Sequence, residues 1–307
     1  MLQRILASHL CILTLTLLTA VPGDRVQADD TQDELGKHGF ATSGDVRIHY
    51  VTRGTGPLVI MIHGFPDYWY TWRNQMPALA ESFQVVAIDQ RGFNESDQPV
   101  GVKNYTLDKL VGDVKSVIEH FEREQAIVIG HDWGGMVAWQ FAMKHPEMTE
   151  RLVILNLPHP NGLLRELANN PEQQQNSAYA RFFQTDAAAS LVKPESLVDW
   201  VKDPAARQKH LAALQRSSME GMLNYYKANY PREPYAAPTN EGPKVKCPVL
   251  MIHGLKDKAL LPGALNDTWK WLEKDLTLVT IPDADHFVQH DAAEKVTSTM
   301  VKWLSQP

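Results

Sequence analysis

Cysteine is nearly absent from this chain of 307 residues, which has only Cys11 and Cys247. If a segment carrying Cys11 is removed after synthesis, no internal disulfide can form, and packing alone must hold the fold. There is no basic run: 30 Lys and Arg stand against 36 Asp and Glu, a formal charge of −6. That balance argues against nucleic acid and against anionic membrane surfaces as partners. No H-E-x-x-H or similar ligand spacing is present, so neither a metal nor a cofactor is implied. There is no internal repeat or low-complexity tract. Only one long apolar stretch stands out, Leu10 to Val21, and Thr14, Thr16 and Thr19 interrupt it before Pro22-Gly23 ends it. It is short for a membrane span, which needs about 20 apolar residues. With Arg4 ahead of it and Val26-Gln-Ala28 behind it, residues 1–28 read as a cleaved export signal, and no stable membrane anchor is expected. The mature protein would then be periplasmic or secreted.

Hydrophobic residues make up 44% of the chain and charged residues 21%, enough apolar surface for a substantial core. Residues 29–44 are polar and read as a mobile lead-in. Continuous apolar runs follow at 57–62, 84–89, 126–130, 151–155, 248–253 and 276–281. Runs without alternation fit parallel strands covered on both faces. Between them lie helical stripes, such as Leu107, Leu110, Val111, Val114, Val117, Ile118 and Phe121, or Val296, Met300, Val301 and Leu304. The alternation predicts a mostly parallel, doubly wound α/β sheet. It stops between Pro160 and Pro243, where helical stretches end in a proline-rich exit. The expected division is a first core part over 29–160, a helical lid inserted over 161–245, and a second core part over 246–307.

Gly130-His-Asp-Trp-Gly134 falls where a strand ends and a helix begins. A nucleophile elbow needs small residues two before and two after its centre, so that a sharp turn can expose the central side chain. Here the centre is Asp132; the competing reading is an ordinary helix cap. A carboxylate is already ionised at neutral pH and can attack saturated carbon directly, leaving an alkyl ester on the protein. Hydrolysis of that ester needs a base. His286, in the loop after the last strand, is the candidate, with His290 as competitor. Asp257, between Lys256 and Lys258, is the candidate to orient it, unless it is a solvated loop carboxylate. The order Asp132, Asp257, His286 is nucleophile, acid, base. The backbone N–H groups of Trp133 and Phe65 are the expected oxyanion donors, and Pro66 offers a cis bond in the Phe65 turn. Arg91 reads as structural, and His63, His131 and His159 as satisfying loop backbone.

With these residues in place the chain resembles the α/β-hydrolase superfamily, and within it the epoxide hydrolases. The resemblance rests on His63-Gly-Phe-Pro66, Asp89-Gln-Arg-Gly-Phe-Asn-Glu-Ser96, Gly130-His-Asp-Trp-Gly-Gly135, Asn156-Leu-Pro-His-Pro160, Asp257 and His286-Phe-Val-Gln289, and is weakest in the lid. Asn94 stands where glycine is common, and Asp285 where glycine usually precedes the histidine; the extra carboxylate is expected to raise the His286 pKa. The resemblance implies an α/β-hydrolase fold and two lid tyrosines that donate to the epoxide oxygen. Tyr179, on a face with Phe182 and Phe183, and Tyr226, on a face with Met222, Leu223 and Tyr230, match them; otherwise they are core aromatics. The expected partners are a small apolar epoxide and water. Haloalkane and haloacid dehalogenases share the Asp nucleophile, but haloalkane dehalogenases typically carry Asn or another donor where this chain has Phe65. A non-catalytic exported binding protein on the same scaffold is the third reading.

Overall fold

The structure is a computed structural model that describes residues 34–239 and 242–306. The segment expected to be an export signal and the start of the expected lead-in lie outside the described residues. Among the described residues no helix is long and apolar enough to cross a membrane.

Eight strands form one sheet: β1 (Lys37–Ser43), β2 (Val46–Arg53), β3 (Leu58–Ile62), β4 (Gln84–Ile88), β5 (Ala126–His131), β6 (Thr149–Leu155), β7 (Val249–Gly254) and β8 (Leu276–Ile281). Their spatial order is β1-β2-β4-β3-β5-β6-β7-β8. β2 pairs antiparallel with both neighbours, and the rest of the sheet is parallel. Every residue of β3, β5 and β7 is buried, which explains their unbroken apolarity. Alternate side chains serve opposite faces. Ile60, Ile62 and Val128 pack with α2 (Leu107–His120) and α3 (Trp133–Lys144). Val59, Met61 and Ile129 pack on the other side with α1 (Met76–Leu79) and the last helix.

The hairpin of β1 and β2 corrects one expectation, because residues 37–43 are an edge strand and not a lead-in. Its buried positions are Gly39 and Ala41, side chains too small to register as an apolar run. The two-residue loop Gly44-Asp45 joins the strands in register Ser43 to Val46. Gly44 has φ +59, as a turn with glycine at its first central position requires.

Between β6 and β7 the chain leaves the sheet and forms α4 (Pro160–Asn169), α5 (Pro171–Asn176), α6 (Ala178–Phe183), α7 (Ala188–Leu191), α8 (Pro204–Arg216) and α9 (Met219–Asn229). The polar segment before Asn176 is helical because Asn170 caps it, its side chain accepting from the Glu172 and Gln173 N–H groups. After β8 come α10 (Val288–Asp291) and α11 (Ala293–Leu304). The chain runs from β3 outward to β4 and then crosses back to β5. The strand order therefore reverses between β3 and β5, and a crevice opens at their C-terminal ends.

Candidate active site

Two loops meet in that crevice. The one after β5 turns at Asp132, whose φ of 49 and ψ of −122 lie outside the ordinary regions for a side-chain-bearing residue. Close packing enforces the turn. A Cβ on Gly130 would lie 2.3 Å from the Gly134 carbonyl oxygen, and one on Gly134 would lie 2.1 Å from that of Ile62. The small flanking residues are thus required, and Asp132 is lifted toward the lid.

The loop after β3 supplies the partner. The Phe65–Pro66 peptide is cis, and the Phe65 N–H donates to Asp132 Oδ1 at 2.8 Å. That leaves Oδ2, which lies 3.6 Å from His286 Nε2, an ion-pair separation without a direct hydrogen bond. The two carboxylate oxygens therefore face different surroundings. Burial raises the Asp132 pKa above its ordinary value, against the opposing pull of His286 and of the Phe65 and Trp133 N–H groups.

His286 Nδ1 donates to Asp257 Oδ2 at 2.8 Å. Asp257 is buried rather than solvated between its lysines. Its Oδ1 accepts from the Ala259 and Leu260 N–H groups at 2.8 and 3.0 Å. Burial works to raise its pKa, but His286, Asn156 and the Leu260 N–H outweigh it and bring it to about 2. For His286 burial acts downward, while Asp257, then Asp132 and lastly Asp285 act upward and carry it to about 9. The pair thus favours the anionic form of Asp257 and the protonated form of His286.

Asn156 opens one of the motifs that carry the resemblance, but the sequence assigned it no role of its own. It sits at positive φ just after β6. Its Nδ2 donates to Asp257 Oδ2 at 2.8 Å, and its Oδ1 accepts from the Gly254 N–H at 3.0 Å. It thereby fixes the acid relative to the end of β7. An Asn directly after a buried strand, where a left-handed backbone is tolerated, was the available signal. His290 does not approach Asp132. It bonds Thr71 Oγ1 and faces Asp67.

Across a pocket of about 380 Å³ the lid presents Tyr179 from α6 and Tyr226 from α9, facing Asp132 and His286. The two rings lie 6.1 Å apart. Tyr226 packs edge-on against both Phe65 and Trp133. Burial foremost, then neighbouring phenols and the Asp132 charge, hold Tyr179 protonated; burial and Asp132 do the same for Tyr226. Tyr225 turns aside and spends its proton on the Arg91 carbonyl. Phe183 shares the pocket with Tyr179, but Phe182 does not share that face and is 40% exposed. Arg91 is structural, paired with Asp113 through two nitrogens. His63 bonds the Gly64 carbonyl and the Gln90 N–H, His131 the His286 carbonyl, and His159 the Asn161 N–H.

Comparison with known proteins agrees with this geometry. Residues 57–293 match the family model described as the alpha/beta hydrolase fold. Epoxide hydrolase 1 of Caenorhabditis elegans is 37% identical over 277 residues, covering 85% of this chain and 68% of its own. The chain belongs to the epoxide hydrolases of the α/β-hydrolase fold family. Another relative of this epoxide-hydrolase chain is the AB hydrolase superfamily protein YfhM of Bacillus subtilis, 32% identical over 86% of this chain and 96% of its own. Among solved structures, an epoxide hydrolase of Bacillus megaterium in complex with an inhibitor superposes with a TM-score of 0.81 at 29% identity, covering 87% of this chain and all of that one.

Proposed function

We propose that this enzyme hydrolyses epoxides to vicinal diols through an alkyl ester on Asp132. The observation that carries the reading is the pair of buried, protonated tyrosines facing the Asp132 carboxylate across a largely aromatic pocket. Asp132 Oδ2 attacks an epoxide carbon and the carbon–oxygen bond breaks. Tyr179 and Tyr226 hydrogen-bond the departing oxygen, one of them passes its proton to it, and the tyrosinate so formed takes up the proton that His286 releases. The new ester removes the Asp132 charge, and with it one of the influences that hold His286 protonated. His286 then loses its proton more readily and serves as the base. It takes a proton from water, whose oxygen attacks the Asp132 carboxyl carbon. The resulting oxyanion, on Oδ1, is held by the Phe65 and Trp133 N–H groups. Its collapse breaks the bond to the diol oxygen, which takes the proton left on the new carboxyl, so the diol departs and Asp132 returns as the carboxylate. The pocket volume fits a small epoxide with an apolar substituent.

A halide leaving group needs no proton. Asp132 would serve a dehalogenase equally well, but the tyrosines would then do nothing, and the Phe65 side chain offers a halide no donor. Replacing both tyrosines with Phe tests the reading. Epoxide turnover should fall by roughly 10²–10⁴-fold, the span of general-acid contributions, while any haloalkane turnover should change little. Unchanged epoxide opening in the double variant would reduce the tyrosines to packing.

Export is part of the same proposal. The Arg4 start, the broken apolar stretch and Ala28 support it, and the N-terminus of the mature protein should be found at Asp29. An intact Leu2 terminus in a membrane fraction would contradict it.

A further inference from the structure

Behind the pocket wall lies a buried polar cluster that the reaction does not use. It joins three separate parts of the chain: Asp67, two residues after the oxyanion donor Phe65; His210, on lid helix α8; and His290, on α10 four residues beyond His286. His210 Nε2 lies 3.0 Å from Asp67 Oδ1, with both side chains fully buried. His210 Nδ1 lies 2.8 Å from the Ala206 carbonyl oxygen. A carbonyl only accepts. Asp67 is held ionised: burial opposes this, but His210 and His290 bring its pKa well below the usual carboxylate range. Its Oδ1 also only accepts. Both His210 nitrogens thus face acceptors, one on the core and one on its own helix. Asp67 and His210 form a buried hydrogen-bonded pair between core and lid.

His290 differs. An Arg73 guanidinium nitrogen lies 3.1 Å from its Nδ1 and can only donate, so the proton of this ring is on Nε2, directed at Thr71 Oγ1 2.7 Å away. The three groups have the spacing of a metal site, but a protonated Nε2 cannot ligate. The Trp200 ring completes the link. It stacks on Phe287 with centroids 3.6 Å apart and 7° between planes, and meets His210 edge-on at 5.2 Å. Trp200 and Phe287 both line the pocket. At the far end of α8, Arg216 donates to Asn94 Oδ1 at 2.7 Å. Three residues later α9 begins, which carries Tyr226.

We propose that His210 is a positioning residue for the epoxide-opening step: its buried hydrogen bond to Asp67 clamps α8 to the oxyanion loop and thereby holds Tyr226 and Trp200 over Asp132. The proposal rests on the epoxide-hydrolase reading above. Without the His210 ring, Asp67 keeps among the described residues only the Tyr68 N–H on Oδ1 and His290 at 3.6 Å from Oδ2, so its buried charge is poorly compensated. The lid then loosens. Ester hydrolysis should not suffer, since Asp132, His286 and Asp257 all stand on the core.

Single-turnover measurement with an aryl epoxide separates the two steps. In His210→Gln, formation of the Asp132 ester should slow on the order of tenfold to a hundredfold, the cost of displacing a reacting group by about an ångström. Decay of the ester should keep the parental rate. Amide hydrogen exchange should quicken in α8. The variant pair Asp67→Asn with His210→Gln, which removes the stranded charge, should regain much of the lost rate and protection. Equal slowing of both steps, unchanged ester formation, or a double variant no faster than His210→Gln would each overturn the proposal. If the parent enzyme opens no epoxide, the functional reading fails instead; the exchange of α8 in the three proteins then decides by itself whether the clamp exists.

Discussion

The two halves of the active site are held in different ways. On the core side, Asp132, His286 and Asp257 are fixed by a strained elbow, by backbone N–H donors and by charged hydrogen bonds of 2.8 Å. On the lid side, aromatic packing surrounds Tyr179 and Tyr226, and the Asp67–His210 pair lies behind the pocket wall. The difference matches the chemistry assigned to each half. Ester formation and hydrolysis demand reacting atoms within a few tenths of an ångström, which short directional bonds supply. Proton donation to an oxygen whose position varies with the substrate tolerates a wall that can shift. A rigid half and an adjustable half can together accept different epoxides without loosening the triad.

Substitutions can break this comparison on one side at a time. The largest effect is expected from His286→Gln. Removing a triad member in a comparable catalytic unit costs on the order of 10⁴–10⁶-fold in turnover, yet here the lid and Asp132 remain, so the alkyl ester should still form. Mass spectrometry of the Asp132 peptide should find an adduct of substrate mass. If turnover is lost and no adduct forms, the assumed separation of the two halves is wrong. The smallest effect is expected from Asn156→Ala. A hydrogen bond to a charged group is worth about 1.5–3 kcal/mol, so the ester should hydrolyse roughly tenfold to a hundredfold more slowly, with ester formation nearly untouched. A slower first step with a normal second one would show that Asn156 serves the lid side instead.

Much of the core half was legible in the sequence. The unbroken apolar runs of β3 to β7 mark a sheet buried on both faces, and the glycines around Asp132 mark a turn that only close packing explains. β8 was also found, although it lies at the sheet edge with most of its residues partly or fully exposed. β1 and β2 were both missed, because the core contacts of β1 come from Gly39 and Ala41 and because Arg47, His49 and Thr52 break up the apolar residues of β2. The Gly44-Asp45 turn before an alternating strand was the overlooked signal. Asn156 escaped because a positioning role depends on what comes near in space, and Asp257 is 101 positions away. The same holds for Asp67 and His210, 143 positions apart. On the lid, spacing placed Tyr226 inward and Tyr225 aside, as found. It wrongly grouped Phe182 with Tyr179, because so short a helix need not bury both its i+3 and i+4 neighbours.

The covalent role of Asp132 is the claim on which both halves depend, and isotope tracing tests it most directly. With enzyme in excess over epoxide, one turnover in ¹⁸O-water should give a diol whose new oxygen is unlabelled, because it comes from Asp132 Oδ2, while the Asp132 peptide gains one ¹⁸O from the water that attacks its carboxyl carbon. A diol that is labelled in the first turnover, with Asp132 left unlabelled, would mean that water opens the epoxide directly and would contradict the account.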